Sequence, residues 1–404
     1  GGVLADVLAA KSPQGVTEWL QSLAGAWKVE GIRLDIGDAE FSREQVWQAG
    51  YLRGALTFDS YFEEPVLNQN GVYQYHSGFQ GAARDPLNHV LPFVFAFDAT
   101  GNGSRDTSAN VRSAVRYTLK SAWKGWRIPW GLQGFGAVNG NFFPSDLELW
   151  VMGTVARYTT ATRDLSLMKE VIVNNATGDS ISVSDAVWAL FGHLVNVTGV
   201  GEHGLLRQLN SDHNDGFCAF GTPRAVRSYA LQHAETVMNS GMGVYFARAG
   251  AAAYRMVGEH ARSDTLLDWA NTMTLALNSH ALNTNAAYYR RTFLGTASAG
   301  WVRASQTFLH HHSPPPPWAG VGNRTHAIVA AMDAALRQPV PIGAAFANQS
   351  YQRYSGKGAY SDSWYCGNMV LVHALGVRGY NDLAVEEVLK NSFNAHVAAY
   401  PEVF

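Results

Sequence analysis

The sequence predicts an all-α protein whose helices form a closed ring of hairpins. Signals for helix starts recur along the whole chain, about a dozen in all, and glycine-rich connections separate them. Strand signals are sparse: residues 205–209, and residues 288–293, where a local hairpin with neighbouring residues is expected. Amphipathic helices without long polar linkers suit a ring or an α-solenoid. No unit of roughly 30 to 45 residues repeats along the sequence, which favours the ring.

The clearest helix signal follows Pro144. Ser145 and Glu148 have the spacing of a capping box, and apolar side chains then recur at helical spacing as far as Tyr158. The sequence therefore predicts a long helix here, with Ser145 as its N-cap.

Other helices are predicted where a polar capping residue precedes apolar periodicity. Ser42 with Gln45 predicts a helix that runs towards Tyr61. Ser108 begins another predicted helix, which ends at Gly125. Further helix starts are predicted near Ser12, Pro86, Ser182, Arg224, Met242, Ser263, Thr325, Trp364 and Leu383.

The composition is that of a folded chain of low charge. Hydrophobic residues make up 47% of the 404 residues and charged residues 15%, below the roughly 25% charged fraction of an ordinary soluble domain. The formal net charge of −2 argues against a nucleic-acid partner, which would need a surplus of cations to neutralise phosphates. No apolar run reaches the roughly 18 residues of a membrane helix, so no membrane span is expected.

Domain organisation is bounded by the chain length. At roughly 150 residues per domain the length allows two or three domains, unless one large helical architecture takes up the chain. We assign residues 1–42 to an N-terminal helical lead-in and residues 43–404 to the ring. The sequence begins Gly1-Gly2 rather than with methionine, which predicts that it is processed or is part of a larger chain or assembly.

Sequons and cysteines bear on the cellular location. The two cysteines, Cys218 and Cys366, exclude a disulfide-rich scaffold and a four-cysteine zinc site. One disulfide bridge and two reduced thiols both remain open. Five Asn-x-Ser/Thr sequons favour a secreted or lumenal glycoprotein, and they begin at Asn102, Asn175, Asn196, Asn323 and Asn348.

The densest group of polar side chains follows the apolar stretch 205–209. Asp212 and Asp215 flank His213 and Asn214 on a predicted loop. A carboxylic acid beside an apolar flank can have a pKa high enough to donate a proton at neutral pH, while its neighbour stays ionised. The alternative is an Asx-rich turn that caps the next helix.

Two further groups suit sugar binding. Residues 73–86 place two tyrosines and a histidine before Arg84 and Asp85, and the alternative there is a structural loop with a surface Arg–Asp pair. The second group is aromatic and provides either stacking platforms or core residues: Trp123, Trp126, Trp130, Phe142 and Phe143.

A metal site is not expected. Residues 310–312 are consecutive histidines, and they lack the helical spacing of metal-binding pairs.

Taken together in chain order, these segments resemble the catalytic domain of glycoside hydrolase family 94, the cellobiose phosphorylase group. The likeness runs from about residue 46 to residue 388. Residues 201–216 are similar to the family's Gly-x-His-Gly and Asp-Trp-Asn-Asp stretch, and residues 83–85 to its Arg-Asp motif. Residues 144–164 resemble the helix after its Asn-Asp-Asp-Pro-Leu-Trp segment, and residues 281–291 its Trp-Asp-Gly-x-Trp-Tyr-x-Arg turn. The resemblance implies an (α/α)6 barrel, the six-hairpin glycosidase toroid.

The resemblance also implies a reaction and its residues. Asp215 matches the family's general acid, which protonates the glycosidic oxygen while phosphate attacks the anomeric carbon from the opposite face. Inorganic phosphate is then a candidate co-substrate, and no cofactor is expected. The residues implied to bind the sugar are Arg84, Asp85, Asp212, His213, Asn214 and His310.

Departures from the family pattern bear on the sugar pocket and on the nucleophile. His213 replaces the motif tryptophan, Asn88-His89 replace Gln-Asp, and His310 stands where a substrate-contacting glutamate is expected. Asp362 falls near the family's phosphate-binding histidine, and its negative charge would repel phosphate. The family's β-sandwich does not fit into the short region before residue 46.

Two functions from different classes follow. The first is an inverting enzyme that cleaves β-glucosidic bonds by phosphorolysis or hydrolysis, with Asp215 as its single aspartic general acid. In the hydrolytic version Asp362 is the general base, which requires the two carboxyls to lie about 6.5 to 9.5 Å apart. The second is a non-catalytic carbohydrate-binding or structural module of a larger extracellular assembly, because several motif positions differ together.

Overall fold

A computed structural model describes most of the chain between residues 56 and 299 and a segment near the C-terminal end. The predicted helix starts at Thr325 and Trp364, and both cysteines, lie outside the described residues. The division between residues 42 and 43 stays a prediction. The described residues are 14–15, 17–18, 21, 37–44, 56–67, 81–91, 94, 108–132, 136, 138–140, 142–212, 224–283, 288–290, 292–294, 297–299, 372–373, 375–376 and 379–392.

The described part of the chain is mainly helical, as predicted. The helices are α1 (Arg84–Val90), α2 (Ser108–Lys120), α3 (Leu147–Thr162), α4 (Ser166–Lys169), α5 (Val183–His193), α6 (Arg224–His233), α7 (Val237–Met256), α8 (His260–Ala276) and α9 (Asn381–Lys390). Single π-helical turns, Leu194–Thr198 and Leu277–Ala281, continue α5 and α8. In these described ranges no helix is both long enough and apolar enough to cross a bilayer.

The strands are short and form small antiparallel sheets of two or three strands. They are β1 (Leu56–Asp59), β2 (Glu64–Leu67), β3 (Gly81–Ala82), β4 (Gly131–Leu132), β5 (Val138–Asn139), β6 (Val171–Val173), β7 (Ser180–Ser182), β8 (Glu235–Thr236), β9 (Leu282–Asn283), β10 (Tyr288–Tyr289), β11 (Thr292–Leu294) and β12 (Ala297–Ala299). β4 lies between β3 and β5, and β11 lies between β8 and β12. The remaining strands pair as β1 with β2, β6 with β7, and β9 with β10.

Helices α3 and α7 form the centre of the core. Residues 147–156 of α3 and residues 237–247 of α7 are all buried, which is typical of helices surrounded by other elements. Trp150 packs edge-on against Phe246, with the ring centroids 5.6 Å apart. A Cβ added at Gly153 would clash with the Phe246 ring, so the close approach of the two helices requires a glycine at that position.

Several predicted helix starts are confirmed. Ser182 caps α5, where its hydroxyl accepts a hydrogen bond from the Asp185 N–H at 3.1 Å. The start predicted near Met242 lies five residues late, because Thr236 is the N-cap of α7 and accepts a hydrogen bond from the Asn239 N–H. The predicted starts at Arg224, Ser263 and Leu383 correspond to α6, α8 and α9.

The long helix after Pro144 is confirmed as α3, but the predicted capping box is wrong. Asp146 is the N-cap residue and makes no side-chain cap hydrogen bond. The Ser145 hydroxyl instead contacts the Ser211 carbonyl at 3.3 Å, and Glu148 lies 3.2 Å from the His193 ring. Partners from distant segments have replaced the local cap.

The helix predicted from Ser42 towards Tyr61 is also wrong. A described helical segment covers 39–44, and the N–H of Phe41 donates to the Asp38 side chain at 3.0 Å. Residues 56–67 then form the β1–β2 hairpin. The Asp59 carboxylate accepts hydrogen bonds from the N–H groups of residues 61 and 62, which favours a turn over a helix.

The two strand predictions have mixed outcomes. Residues 205–209 form isolated bridges to three different segments instead of a regular strand. Residues 288–293 do pair with neighbouring residues, because β10 pairs with β9 and β11 pairs with β12.

The C-terminal segment contacts the core through His373. The Arg157 guanidinium of α3 donates to Nε2 of His373 at 3.1 Å, so this nitrogen is the unprotonated one. Burial, together with the positive charge of Arg157, lowers the pKa of His373 from 6.5 to about 4. The folded chain therefore favours the neutral imidazole.

We expect Gly153→Ala to destabilise the protein by about 1 to 3 kcal/mol, because the added methyl group overpacks the α3–α7 contact. The free energy of unfolding, measured in urea, tests this expectation. Gly192→Ala is the matched control, since Gly192 is also helical and an added Cβ meets nothing within 4 Å. The control should be neutral or stabilising by up to about 1 kcal/mol. Equal effects of the two substitutions would contradict the proposed close approach.

We expect His373 to make stability depend on pH. Its folded-state pKa of about 4 lies below its ordinary value of 6.5, so its full contribution is present above pH 6.5 and is lost as the pH falls towards 4. The loss should reach up to about 3 kcal/mol. His373→Gln can still accept from Arg157 but does not titrate. Urea unfolding between pH 7 and pH 4 should give a shallower slope for this variant, and parallel curves would contradict the expectation.

Candidate functional site

A buried polar network joins the N-terminal ends of α1, α3 and α7. Its side chains form two groups, the Arg84–Asp146 pair and a hydrogen-bonded set of six, which meet at the dipeptide Ser145-Asp146, and all are buried. Buried polar groups need such partners, so the network fixes the relative positions of the three helix ends. The members of this polar network are Arg84, Ser145, Asp146, Gln208, Asp212, Thr236, Asn239 and Thr292.

The ion pair of this network connects α1 to α3. Nη1 of Arg84, the first residue of α1, lies 3.2 Å from Oδ1 of Asp146 and 3.4 Å from Oδ2. The indole N–H of Trp150 donates to the same carboxylate at 3.1 Å. Both charged side chains are almost completely inaccessible to solvent, so each charge offsets part of the cost of burying the other.

The segment before α3 is paired with the segment that leads to the predicted acid. The N–H of Ser145 donates to the Ser211 carbonyl at 3.0 Å, and the Asn239 amide donates to the Ser145 hydroxyl at 2.8 Å. Two residues before Ser145, the N–H of Phe143 donates to the Asn210 side chain at 2.8 Å, and the N–H of Asn210 donates back to the Phe143 carbonyl. Residues 210 and 211 are therefore fixed against the start of α3.

Asp212 is fully buried within the network. Its Oδ2 accepts a hydrogen bond from the Thr236 hydroxyl at 3.0 Å and lies 3.5 Å from the Gln208 amide nitrogen. The Thr292 hydroxyl donates to the Glu235 carbonyl at 2.6 Å and so ties β11 to β8 beside these groups. Asp212 is thus held by the N-terminal end of α7.

A buried carboxylate supports the preceding loop. Oε1 of Glu235 accepts the N–H groups of His203 and Leu205, each at 3.0 Å, and Oε2 lies 2.5 Å from Nδ1 of His203. The His203 ring stacks on Phe293, with the centroids 4.1 Å apart. A Cβ at Gly201 would clash with the Glu235 side chain. Residues 201–205 therefore wrap closely around Glu235.

Leu209 has an unusual backbone conformation in this segment. Its φ of 55° lies in the left-handed region, which leucine rarely adopts. Leu209 and Ser211 both form bridges to Pro144, and these contacts on one proline hold the turn in place. A strained backbone conformation persists only where the surrounding structure enforces it, and such residues are frequent at functional sites.

Partly exposed aromatic side chains border the network. Trp126 is buried, as expected of a core residue, whereas the other four members of the predicted aromatic group are half-buried. Phe143, which contacts Asn210 through its backbone, lies beneath the Arg127 guanidinium at 4.2 Å and packs edge-on against Trp123. The group therefore offers aromatic surface beside the polar network.

The structure describes three of the predicted sugar-binding residues. Arg84 and Asp212 belong to one buried network, and Asp85 is half-buried in the first turn of α1. Contact of these side chains with a sugar stays a prediction. The predicted site residues that lie outside the described residues are Asp215, Asp362, His213, Asn214 and His310.

Two of the predicted glycosylation sites are described, and both are exposed. Asn175 lies in the turn between β6 and β7 and accepts a hydrogen bond from the Tyr61 hydroxyl at 2.9 Å. Asn196 lies in the π-helical turn after α5. Glycans on these residues stay a prediction, and Asn102, Asn323 and Asn348 lie outside the described residues.

Sequence reasoning missed several members of the site. Asp146 had one local signal, its position directly before a predicted helix, but nothing nearby indicated Arg84 as its partner. Thr236 and Asn239 have the spacing of an N-cap, which could have been recognised. Glu235 had no local signal. In the described parts of the chain, no three histidine, cysteine, aspartate or glutamate side chains are grouped as metal ligands.

Comparison with known proteins gives one family match. Residues 136–360 match the family described as glycosyl hydrolase 94 superfamily, catalytic domain, and this span is more than half of the 404 residues. No curated protein matches the chain.

Two solved rhamnosidases are similar at low sequence identity. A rhamnosidase from Klebsiella oxytoca with rhamnose bound is 10% identical, with a TM-score of 0.48, and the match covers 76% of this chain and 48% of that one. The GH78 family rhamnosidase of Bacillus sp. GL1 is 10% identical, with a TM-score of 0.49, and the match covers 80% of this chain and 27% of that one. The chain therefore spans less than half the length of either rhamnosidase.

We expect Asp146→Asn to destabilise the protein by about 3 kcal/mol, because the buried Arg84 guanidinium would lose the negative charge that lies 3.2 Å away. The matched control is Asp264→Asn, which breaks the Arg255–Asp264 pair, in which the two side chains are 57% and 65% exposed. An exposed pair contributes less than about 1 kcal/mol. Urea unfolding of both variants measures the difference. Similar losses in both would show that Arg84 does not depend on Asp146.

Proposed function

Because the chain belongs to the glycosyl hydrolase 94 superfamily, we propose that it is a carbohydrate-active enzyme that cleaves β-glucosidic bonds with inversion. The proposed architecture around the site is the (α/α)6 barrel that the family resemblance implies. One observation in the described residues carries the proposal. Arg84 and the segment that leads to Asp215 converge on the same dipeptide, Ser145-Asp146.

Chain connectivity limits how far the proposed acid can lie from the polar network. Asp212 is fixed by Thr236, and Asp215 follows three residues later. Consecutive Cα atoms are about 3.8 Å apart, so the Cα atoms of residues 212 and 215 are separated by at most about 11 Å. A rigid support so close to a general acid favours catalysis, because it reduces the reorganisation needed to reach the reactive geometry.

The proposed chemistry needs one proton donor. Asp215 transfers its proton to the glycosidic oxygen as the bond from that oxygen to the anomeric carbon breaks. A phosphate oxygen or a water oxygen forms the new bond from the opposite face. When water attacks, its proton passes to Asp362, and when phosphate attacks, no protein base is required.

The surroundings of the network support a sugar as the substrate. The half-buried rings of Trp130 and Phe142 keep part of their apolar surface open to solvent, where a pyranose ring could stack, whereas Arg127 lies over the Trp123 and Phe143 rings. Arg84 and Asp212 are buried, and their role in the proposal is to fix the segments that lie next to this aromatic group. Aromatic surface on rigidly held segments favours a stacked sugar.

We expect the purified chain to release sugar from at least one β-linked gluco-oligosaccharide in a panel assayed with and without phosphate. Asp215→Asn should lower turnover by a factor of about 100 to 10,000, because it removes the general acid. Asp179→Asn is the matched control in the exposed β6–β7 turn, and it should leave turnover unchanged. Thermal unfolding of each variant checks that the fold is retained.

The products distinguish the versions of the reaction. Phosphate-dependent formation of a sugar 1-phosphate identifies a phosphorylase, and phosphate-independent release identifies a hydrolase. NMR of the first product formed reports its anomer, which should be α if a β-linkage is inverted. Binding of the oligosaccharides without turnover in any arm would contradict the enzyme and favour the carbohydrate-binding module.

A further inference from the structure

An open cleft of about 270 Å³ lies between residues 200–207 and the C-terminal end of α6. The polar network does not include any of the side chains that line it. Its lining includes Glu202, Arg207, Tyr229, His233 and Glu235.

The cleft and the polar network use different side chains of one segment. Arg207 is exposed and lines the cleft, whereas the next residue, Gln208, is fully buried and contacts Asp212. The segment therefore contributes an exposed side chain to the cleft and a buried one to the network. A ligand in the cleft would therefore occupy a site different from the one proposed around Arg84 and Asp212.

Two charged side chains of the cleft, Glu202 and Arg207, have no side-chain partner in the described part of the chain. Neither the Glu202 carboxylate nor the Arg207 guanidinium forms a hydrogen bond or an ion pair there, and both residues are exposed. The Glu235 carboxylate, by contrast, is occupied by His203 and Leu205. One acceptor and one set of donors are thus available at the cleft to a ligand.

Tyr229 adds an aromatic platform to these groups. Its side chain is 52% exposed, although it stacks on His233 one helical turn later, with the ring centroids 4.3 Å apart and the planes at 29°. The stacking holds the ring in place and leaves about half of the side chain open to solvent. A large exposed aromatic side chain held in place beside a cleft is typical of a binding surface.

We propose that this cleft is a second carbohydrate-binding site that holds one pyranose ring of a neutral saccharide. Glu202 and Arg207 carry opposite charges, so their field does not select an anion or a cation, and sugar hydroxyls can both donate to the carboxylate and accept from the guanidinium. The volume lies just below the roughly 300 Å³ at which ordinary ligand pockets begin, which suits a single ring. The proposal goes beyond the proposed reaction and needs no turnover at Asp215.

The test follows Tyr229 directly by ¹⁹F NMR of the full chain labelled with 3-fluorotyrosine. The resonance that Tyr229→Phe removes is assigned to Tyr229. The resonance that Tyr61→Phe removes serves as the control, because Tyr61 is 49% exposed in the β1–β2 turn. The probes are glucose, galactose, mannose, rhamnose and cellobiose, with inorganic phosphate as a separate arm. Thermal unfolding shows that each variant is folded.

We expect at least one saccharide to shift the Tyr229 resonance in a saturable way and to leave the Tyr61 resonance unchanged. Arg207→Ala should raise the dissociation constant read from Tyr229 by about tenfold, the effect of losing a hydrogen bond to a charged group. Asp215→Asn should leave that constant unchanged, so a failure of the proposed catalysis does not affect this result. The proposal would be overturned if no saccharide shifted the Tyr229 resonance, or if phosphate shifted it instead. An unchanged dissociation constant in Arg207→Ala would also overturn it.

Discussion

The buried ion pair between Arg84 and Asp146 is the interaction on which the organisation of the site depends. The two residues are 62 positions apart, and each is nearly inaccessible to solvent. In such surroundings the attraction between a guanidinium and a carboxylate offsets part of the desolvation cost of both groups. Asp146 also accepts from Trp150, and its neighbour Ser145 binds the Ser211 carbonyl. One dipeptide thereby fixes both α1 and the segment that leads to Asp215.

The N-terminal ends of the helices serve as supports for this site. Asp146 stands at the start of α3, and Thr236, the N-cap of α7, donates to Asp212 while it accepts from the Asn239 N–H. Carboxylates near helix N-termini are stabilised by the positive end of the helix dipole. Asp146 and Asp212 are each buried close to a helix N-terminus, where Asp146 accepts from Arg84 and Trp150 and Asp212 accepts from Thr236.

The buried and the exposed side chains of the segment 205–212 contribute to different parts of the molecule. Its buried side chains, such as Gln208 and Asp212, join the polar network, whereas Arg207 faces the cleft. The segment keeps this arrangement because Glu235 binds its beginning, at Leu205, and Pro144 forms bridges near its end, to Leu209 and Ser211. A short stretch without regular strand pairing is thus held in place near both of its ends.

The sequence by itself determined the helical class, most helix positions and the family, because periodicity, N-caps and short motifs act within a few residues. Helices α2, α3 and α5 followed from such signals. Only the tertiary structure decided which partners Ser145 has, and that residues 56–67 form a hairpin. It also decided that Arg84 pairs with Asp146 and that Glu235 supports His203. These contacts join segments tens of residues apart, and burial, which gives them their strength, exists only after the chain has folded.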